Sequence, residues 1–398
     1  MRIAYVCFDW GVPVFGSTGS SIHVQEIIRG FLARGASVEL FAARIGGDLP
    51  AGLETVPVHS FEGLVEGPRA AREHSALAAN RDLRVALERE GSFDMVYERY
   101  SLWSFAAMDF ARDIGVPGLL EVNAPLIEQQ AQYRELVDRA SAERVAERVF
   151  DAAAVLIALS TEIKVYLERY PTTHGRVHVI PDGVNPVRFP RGLKPSFPRE
   201  PGTFTVGFLG SLKSWHGLPI LADAFATLHR CHPNSRLLVV GDGPERASLE
   251  MNLAGRGLGH AVHLTGAVPP GEVPKLLASM DLGVAPYPEL QTFYFSPLKV
   301  YEYMAAGLPV VASRIGQLTY LIQHGVTGLH CAPGDSSAFA DAFVRLKQEP
   351  RLCASLGEAA REHVIRYHTW DHVIQRILHL AGASKIDPLK VGLMRCSL

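Results

Sequence analysis

The stretch Ile180-Pro181-Asp182-Gly183-Val184-Asn185-Pro186-Val187-Arg188-Phe189-Pro190-Arg191-Gly192-Leu193-Lys194-Pro195-Ser196-Phe197-Pro198-Arg199-Glu200-Pro201-Gly202 carries six prolines and three glycines. Proline lacks the N–H that a helix interior or a central strand needs, and Asp182-Gly183 favours a turn, so this run reads as a connection. Reading it as one long loop inside a single domain conflicts with the rarity of such loops. On both sides of it lies the same pattern. RIAYVCF, ASVELFA, FDMVYERY, GLLEVN and AVLIALS precede it, and TFTVGFLG, RLLVVGDG, AVHLTGAV, LGVAPYP, LPVVASR and GLHCAP follow it. Short apolar runs separated by helix-length stretches, such as 21–34, 68–90, 102–114 and 126–150, indicate parallel sheets covered on both faces. Two such series predict an α/β chain of two Rossmann-like domains. A closed eight-fold barrel is the competing arrangement, but the 180–202 run interrupts its regular count.

Composition agrees. The chain has 398 residues, 47% hydrophobic and 20% charged, enough for two cores. Lys plus Arg number 39 against 41 Asp plus Glu, which argues against a nucleic-acid partner, since phosphate neutralisation needs surplus cations. Cys7, Cys231, Cys331, Cys353 and Cys396 form no CxxC pair, the pattern of a reduced, cytoplasmic protein without structural zinc. No apolar stretch reaches the ~18 to 20 residues that span a bilayer. The opening MRIAYVCFDW is too short for a signal peptide and reads as a first strand. Within 134–148, four arginines (134, 139, 144, 148) mix with Glu135, Asp138, Glu143 and Glu147. Such a face reads as solvated, so membrane association is not indicated.

Chemistry concentrates in Ser296-Pro297-Leu298-Lys299-Val300-Tyr301-Glu302-Tyr303-Met304-Ala305-Ala306-Gly307-Leu308-Pro309. Ser296 suits an N-cap and Pro297 the first helical position, while Gly307 and Pro309 end the helix. Free backbone N–H groups are expected at about residues 298 and 299, with Lys299 beside them: a site for an anion such as a diphosphate. One turn on, the Glu302 carboxylate could accept from two adjacent ribose hydroxyls. The same spacing also describes an ordinary capped helix. Gly210-Ser211-Leu212-Lys213-Ser214-Trp215-His216-Gly217 follows a strand and precedes a helix, the usual ligand position in open α/β sheets. Lys213 and His216 are expected to supply positive charge there, although a solvated lysine and a loop tryptophan are the plainer reading. Gly241-Asp242-Gly243-Pro244-Glu245 is a similar turn. Gly16-Ser17-Thr18-Gly19-Ser20-Ser21 is not a GxGxxG fingerprint, so a dinucleotide site is poorly supported. The sequence has no P-loop, HExxH, GxSxG or DxD pair.

Together these stretches resemble the retaining glycosyltransferases of family 4, which have the GT-B fold. The matching parts, in the expected order, are GSTGSSIHVQE, VIPDGVNPVRF, GSLKSWHG, VVGDGPE, LTGAV, SPLKVYEYMAAGLPVVAS and YHTWDHV. The resemblance implies two Rossmann-like domains facing across a cleft: an acceptor domain at 1–185 and a nucleotide-sugar domain at 186–367. A closing helix at 368–384 packs back on the first, and 385–398 form a tail. It further implies that Glu302 binds the donor ribose and that Ser296, Pro297 and the amides of Leu298 and Lys299 hold the diphosphate. Gly210, Ser211, Lys213, His216 and Gly243 line the donor site, Val268 meets the base through its backbone, and Gly19 lets the first-domain loop approach. The sequence departs from the family pattern in three respects. Tyr294 stands where the first glutamate of E-x7-E belongs, Ser211 and His216 replace Arg and Lys, and Asn123 replaces His.

The activity so implied is a retaining, metal-independent transfer from a nucleotide-diphosphate sugar, with a UDP-sugar as the expected donor and no cofactor. The acceptor is a small molecule, a lipid carrier or a glycan. Lys213 and Lys299 stabilise the leaving diphosphate, whose oxygen takes the acceptor proton, and Asn123 orients sugar hydroxyls. Glu121 is the nearest ionisable group, although strand alternation equally allows it to be buried away from the cleft. Two other readings are a sugar-nucleotide 2-epimerase on the same fold and a catalytically silent nucleotide-sugar-binding subunit.

Overall fold

The computed structural model describes residues 1–61, 63, 66–197 and 201–382. The first sheet comprises β1 (Arg2–Cys7), β2 (Ser37–Ala42), β3 (Val58–Ser60), β4 (Met95–Arg99), β5 (Gly118–Val122), β6 (Val155–Ala158) and β7 (Val177–Val179). The second comprises β8 (Phe204–Leu209), β9 (Ser235–Val240), β10 (Val262–Leu264), β11 (Leu282–Ala285), β12 (Val310–Ser313) and β13 (Gly328–Cys331). Their orders are β3-β2-β1-β4-β5-β6-β7 and β10-β9-β8-β11-β12-β13, and every pairing is parallel. Each sheet therefore reverses direction of growth once, at β1/β4 and at β8/β11. In such sheets the crevice outside the carboxyl ends at the reversal is where ligands bind. The two-domain α/β GT-B reading holds, and the barrel is excluded.

Central strands carry unbroken apolar runs because helices cover both faces. In β1, Ile3, Tyr5 and Cys7 join one buried cluster while Ala4 and Val6 join another. Two strands escaped the sequence reading, β3 and β7. Both are edge strands of only three residues, VHS and VHV, too short to show a pattern of their own. The 68–90 stretch divides into helices Arg69–Ala78 and Asn80–Glu90, and 126–150 into Leu126–Tyr133 and Arg139–Ala152. In the second case Asp138 starts a new helix by accepting from Ser141 N at 2.9 Å, an N-cap hidden among the alternating charges.

The helix Trp370–Leu380 returns to the first domain and packs on the helix Gly19–Ala33. Ile374 lies so close to Gly30 that any Cβ there would collide with it at 2.3 Å, and Arg34 pairs with Asp371 at 2.7 Å. The end of the expected 368–384 helix, and the 385–398 tail with Cys396, lie outside the described residues. Among the described residues no helix is long and apolar enough to cross a membrane.

Candidate functional site

The helix Leu298–Ala305 begins at the mouth of the second sheet, and its start differs from expectation. Pro297, with φ −81° and ψ 98°, occupies the N-cap, so Ser296 is not the cap. The Ser296 hydroxyl oxygen instead accepts from Asp182 N at 3.1 Å, tying the helix start to the interdomain connection. The first N–H to bond backwards is that of Val300, to Pro297 O at 2.9 Å. Leu298 and Lys299 N–H precede it, as the anion-site reading requires.

Lys299 is buried, and its Nζ has no hydrogen-bond partner. The ammonium sits over the Phe208 ring at 4.2 Å and the Tyr287 ring at 5.6 Å. Burial pulls its pKa down to about 7. A lone buried cation beside free helix amides is costly unless an anion completes it. Gly210, at φ +133°, follows β8 beside this ammonium, and a Cβ there would stand 3.2 Å from Lys299 Nζ. Glycine thus supplies both the backbone angle and the opening.

His216 does not carry the positive charge expected of it. Burial, with Lys299 and Lys213 nearby, pushes its pKa down to about 3, and the neutral ring donates from Nδ1 to Ser211 O at 2.5 Å. Lys213 is half-buried, with Nζ 5.9 Å from the Trp215 ring centre. Gly243 packs onto the Leu212 carbonyl, which supports the Gly210–Gly217 turn from below. Val268 is half-buried just beyond β10. Glu302 is held by Arg188, whose Nη1 donates to Oε1 at 2.9 Å while Nη2 donates to Pro270 O at 2.9 Å. Burial raises the Glu302 pKa and Arg188 opposes that rise.

The first domain closes over this site. Gly19 opens its helix opposite Leu298, with 3.8 Å between a Cβ there and Leu298 Cδ1, so the two helix starts face each other. Gln129 Nε2 donates to the Tyr294 hydroxyl at 2.8 Å, Gln317 Nε2 donates to Leu159 O, and Tyr133 meets Trp215 at 5.4 Å between rings. Tyr294, the departure from E-x7-E, is buried in the hydrophobic cluster of the first domain.

Asn123 follows β5 at the crevice. Its Nδ2 donates to Glu121 Oε1 at 2.8 Å, while its Oδ1 is buried without a partner. Glu121 is 1% exposed and also accepts from Tyr97 Oη at 2.5 Å, Arg99 Nη1 at 3.3 Å and His23 Nε2 at 2.8 Å. His23 was missed in the sequence: its helical spacing marks only a buried face, and its partners lie far away in the chain. Its one signal is an ionisable residue on the apolar side of the Gly19–Ala33 helix. Elsewhere among the described residues, Glu39, His59 and Glu90 gather, but Arg2 Nη2 already pairs with Glu39 at 2.6 Å.

Two family models cover most of this architecture. Residues 17–188 match Glycosyltransferase Family 4, and residues 203–349 match Glycosyl transferases group 1. The chain belongs to the family 4 glycosyltransferases. A D-inositol 3-phosphate glycosyltransferase of Acidothermus cellulolyticus is 27% identical over 400 residues, covering 92% of this chain and 86% of the relative. Among solved structures, sucrose-phosphate synthase of Thermosynechococcus elongatus superposes with TM-score 0.74 at 20% identity, covering 95% and 98% of the two chains. Anabaena HepE, solved with UDP and glucose, gives TM-score 0.72 at 21% identity and covers 96% and 100%. In this glycosyltransferase, then, the two crevices at the sheet reversals face each other across the Gly19–Leu298 contact.

Proposed function

We propose that this glycosyltransferase takes a UDP-sugar as donor, transfers the sugar with retention, and does so without a divalent metal. The observation that carries this reading is Lys299: a buried ammonium with no partner, beside the free N–H groups of the Leu298–Ala305 helix. A diphosphate bound there would meet the amides of Leu298 and Lys299, the Lys299 ammonium, and Lys213 from the facing turn. These groups are fixed before the glycosidic bond breaks, so they stabilise charge as it develops on the leaving oxygen. The absence of a DxD pair from the sequence accords with neutralisation by amides and lysine.

In the donor, Glu302 would accept from the ribose hydroxyls and the backbone near Val268 would meet the base. With retention, the acceptor hydroxyl attacks from the face that the diphosphate leaves. The departing phosphate oxygen takes the acceptor proton as the new bond forms. No residue need then act as base, which accommodates Asn123 where the family has His.

The test is incubation with UDP-, GDP- and dTDP-sugars, with and without EDTA, and with D-inositol 3-phosphate as the first acceptor. UDP-sugar consumption that survives EDTA, giving product of unchanged anomeric configuration, is expected. Lys213→Ala and Glu302→Ala should each lose most of it while staying folded. Inverted product, or activity that EDTA abolishes and Mn²⁺ restores, would refute the proposal. An epimerised nucleotide-sugar formed without acceptor would favour the epimerase instead.

A further inference from the structure

His23 is fully enclosed, and both of its ring nitrogens face carboxylates. Nδ1 lies 2.6 Å from Asp182 Oδ1, and Nε2 lies 2.8 Å from Glu121 Oε2 and 2.7 Å from Glu121 Oε1. An ionised carboxylate only accepts, so both nitrogens must carry protons and the ring is an imidazolium. Burial alone would lower the His23 pKa, but Glu121 and Asp182 outweigh it and raise the value to about 9. Glu121 and Asp182 are 1% and 4% exposed, and two carboxylates buried that deeply need positive partners. His23 and Arg99 supply them. Tyr5 and Cys7 on β1 flank the same pocket, and burial raises the pKa of each, so both are neutral.

The consequence falls on Asn123. Its side-chain amide has two ends, and what each faces depends on the charge of Glu121. While Glu121 is ionised, only the NH2 end can meet it, as the 2.8 Å bond shows. The Oδ1 end is then directed away, buried and unpartnered, at the carboxyl end of β5. Were Glu121 to take up a proton it would become a donor, and the amide could turn over. On its other side the same imidazolium fixes Asp182, whose N–H donates to Ser296 Oγ beside the Leu298–Ala305 helix.

We propose that His23 is a positioning residue: by keeping Glu121 ionised it presents the Asn123 carbonyl oxygen as acceptor for a sugar hydroxyl in the cleft. This rests on the glycosyl-transfer reading above. It assigns the orphan acceptor a ligand of matching chemistry, an O–H donor, and it gives Glu121 a holding role. Glu121, saturated by four donors and with its pKa pulled down to about 2 by His23 and Arg99 against the effect of burial, is poorly placed to shuttle protons.

The experiment compares wild type, His23→Gln, Asn123→Ala and the double variant for UDP affinity, kcat and KM. His23→Gln should bind UDP within about threefold of wild type and lose up to about a hundredfold in kcat, the scale expected when a contact is misplaced. In the Asn123→Ala background the same substitution should cost little more, because both act through one oxygen. Wild-type kcat in His23→Gln, or losses that multiply in the double variant, would overturn the assignment. Should His23→Gln fail to fold, ¹⁵N spectra of the wild-type ring decide: two protonated nitrogens at pH 7.5 are expected, and a neutral tautomer would overturn it. A wild-type protein that releases UDP from no nucleotide-sugar would instead remove the glycosyl-transfer reading itself, whatever the ring spectrum shows.

Discussion

Arg188 reaches from the interdomain connection to Glu302, with 2.9 Å between Nη1 and Oε1, and its second nitrogen grips Pro270 O at 2.9 Å. One guanidinium therefore joins the carboxylate assigned to the ribose with the loop assigned to the base. It also opposes the rise in the Glu302 pKa that burial causes. Arg188→Met should weaken UDP binding by about tenfold or more, the worth of a hydrogen bond to a charged group. The loss should deepen as pH falls, because Glu302 then protonates more readily. Calorimetric titration of UDP at pH 8 and pH 6 checks this; unchanged affinity at both would show that Arg188 does not serve the donor site.

Lys299 should trade stability for binding. Lys299→Met keeps the bulk of the side chain and removes a buried, unpartnered charge, so Tm should rise by several degrees while UDP affinity falls about a hundredfold or more. Differential scanning calorimetry and UDP titration on the same sample read both. A lower Tm, or retained affinity, would contradict the role given to this ammonium.

The depressed Lys299 pKa also sets a pH dependence. Above about pH 7 the free protein has largely lost this proton, whereas a bound diphosphate favours the ammonium. UDP binding at pH 8 should therefore take up a proton, and affinity should decline as pH rises through 7. Titrations in buffers of different ionisation enthalpy count that proton. For folding the sign is separate: between about pH 7 and the unfolded lysine value of 10.5 the native state binds fewer protons, so this group makes stability rise with pH. His23, raised to about 9, works in the opposite direction between 6.5 and 9, so its contribution is lost as pH rises through 9. The Lys299→Met difference isolates the lysine.

Tyr294 joins the two domains through Gln129 and is buried among residues of the first domain. Tyr294→Ala should loosen closure, increasing the radius of gyration in solution scattering and raising the acceptor KM, with UDP affinity little changed because the donor groups lie in the second domain. An unchanged scattering profile with unchanged KM would show that this contact does not hold the cleft.

How far the sequence could be read follows from the range of each interaction. Eleven strands were legible because each is a short buried run read locally; Val58–Ser60 and Val177–Val179 were not, because three edge residues carry little pattern. The Leu298–Ala305 helix was legible from Pro297, but its cap was not, because Ser296 bonds to Asp182, 114 residues away. His216 looked cationic because sequence does not show the burial that neutralises it. His23 was silent for the same reason of distance, its partners standing 98 and 159 residues along the chain.

The most direct measurement is a crystal structure with UDP bound in the presence of EDTA. The expected result is a diphosphate at the start of the Leu298–Ala305 helix, within hydrogen-bonding distance of the Leu298 and Lys299 amides and of Lys299 Nζ. UDP seated elsewhere, or bound only when a divalent ion bridges its phosphates, would contradict it.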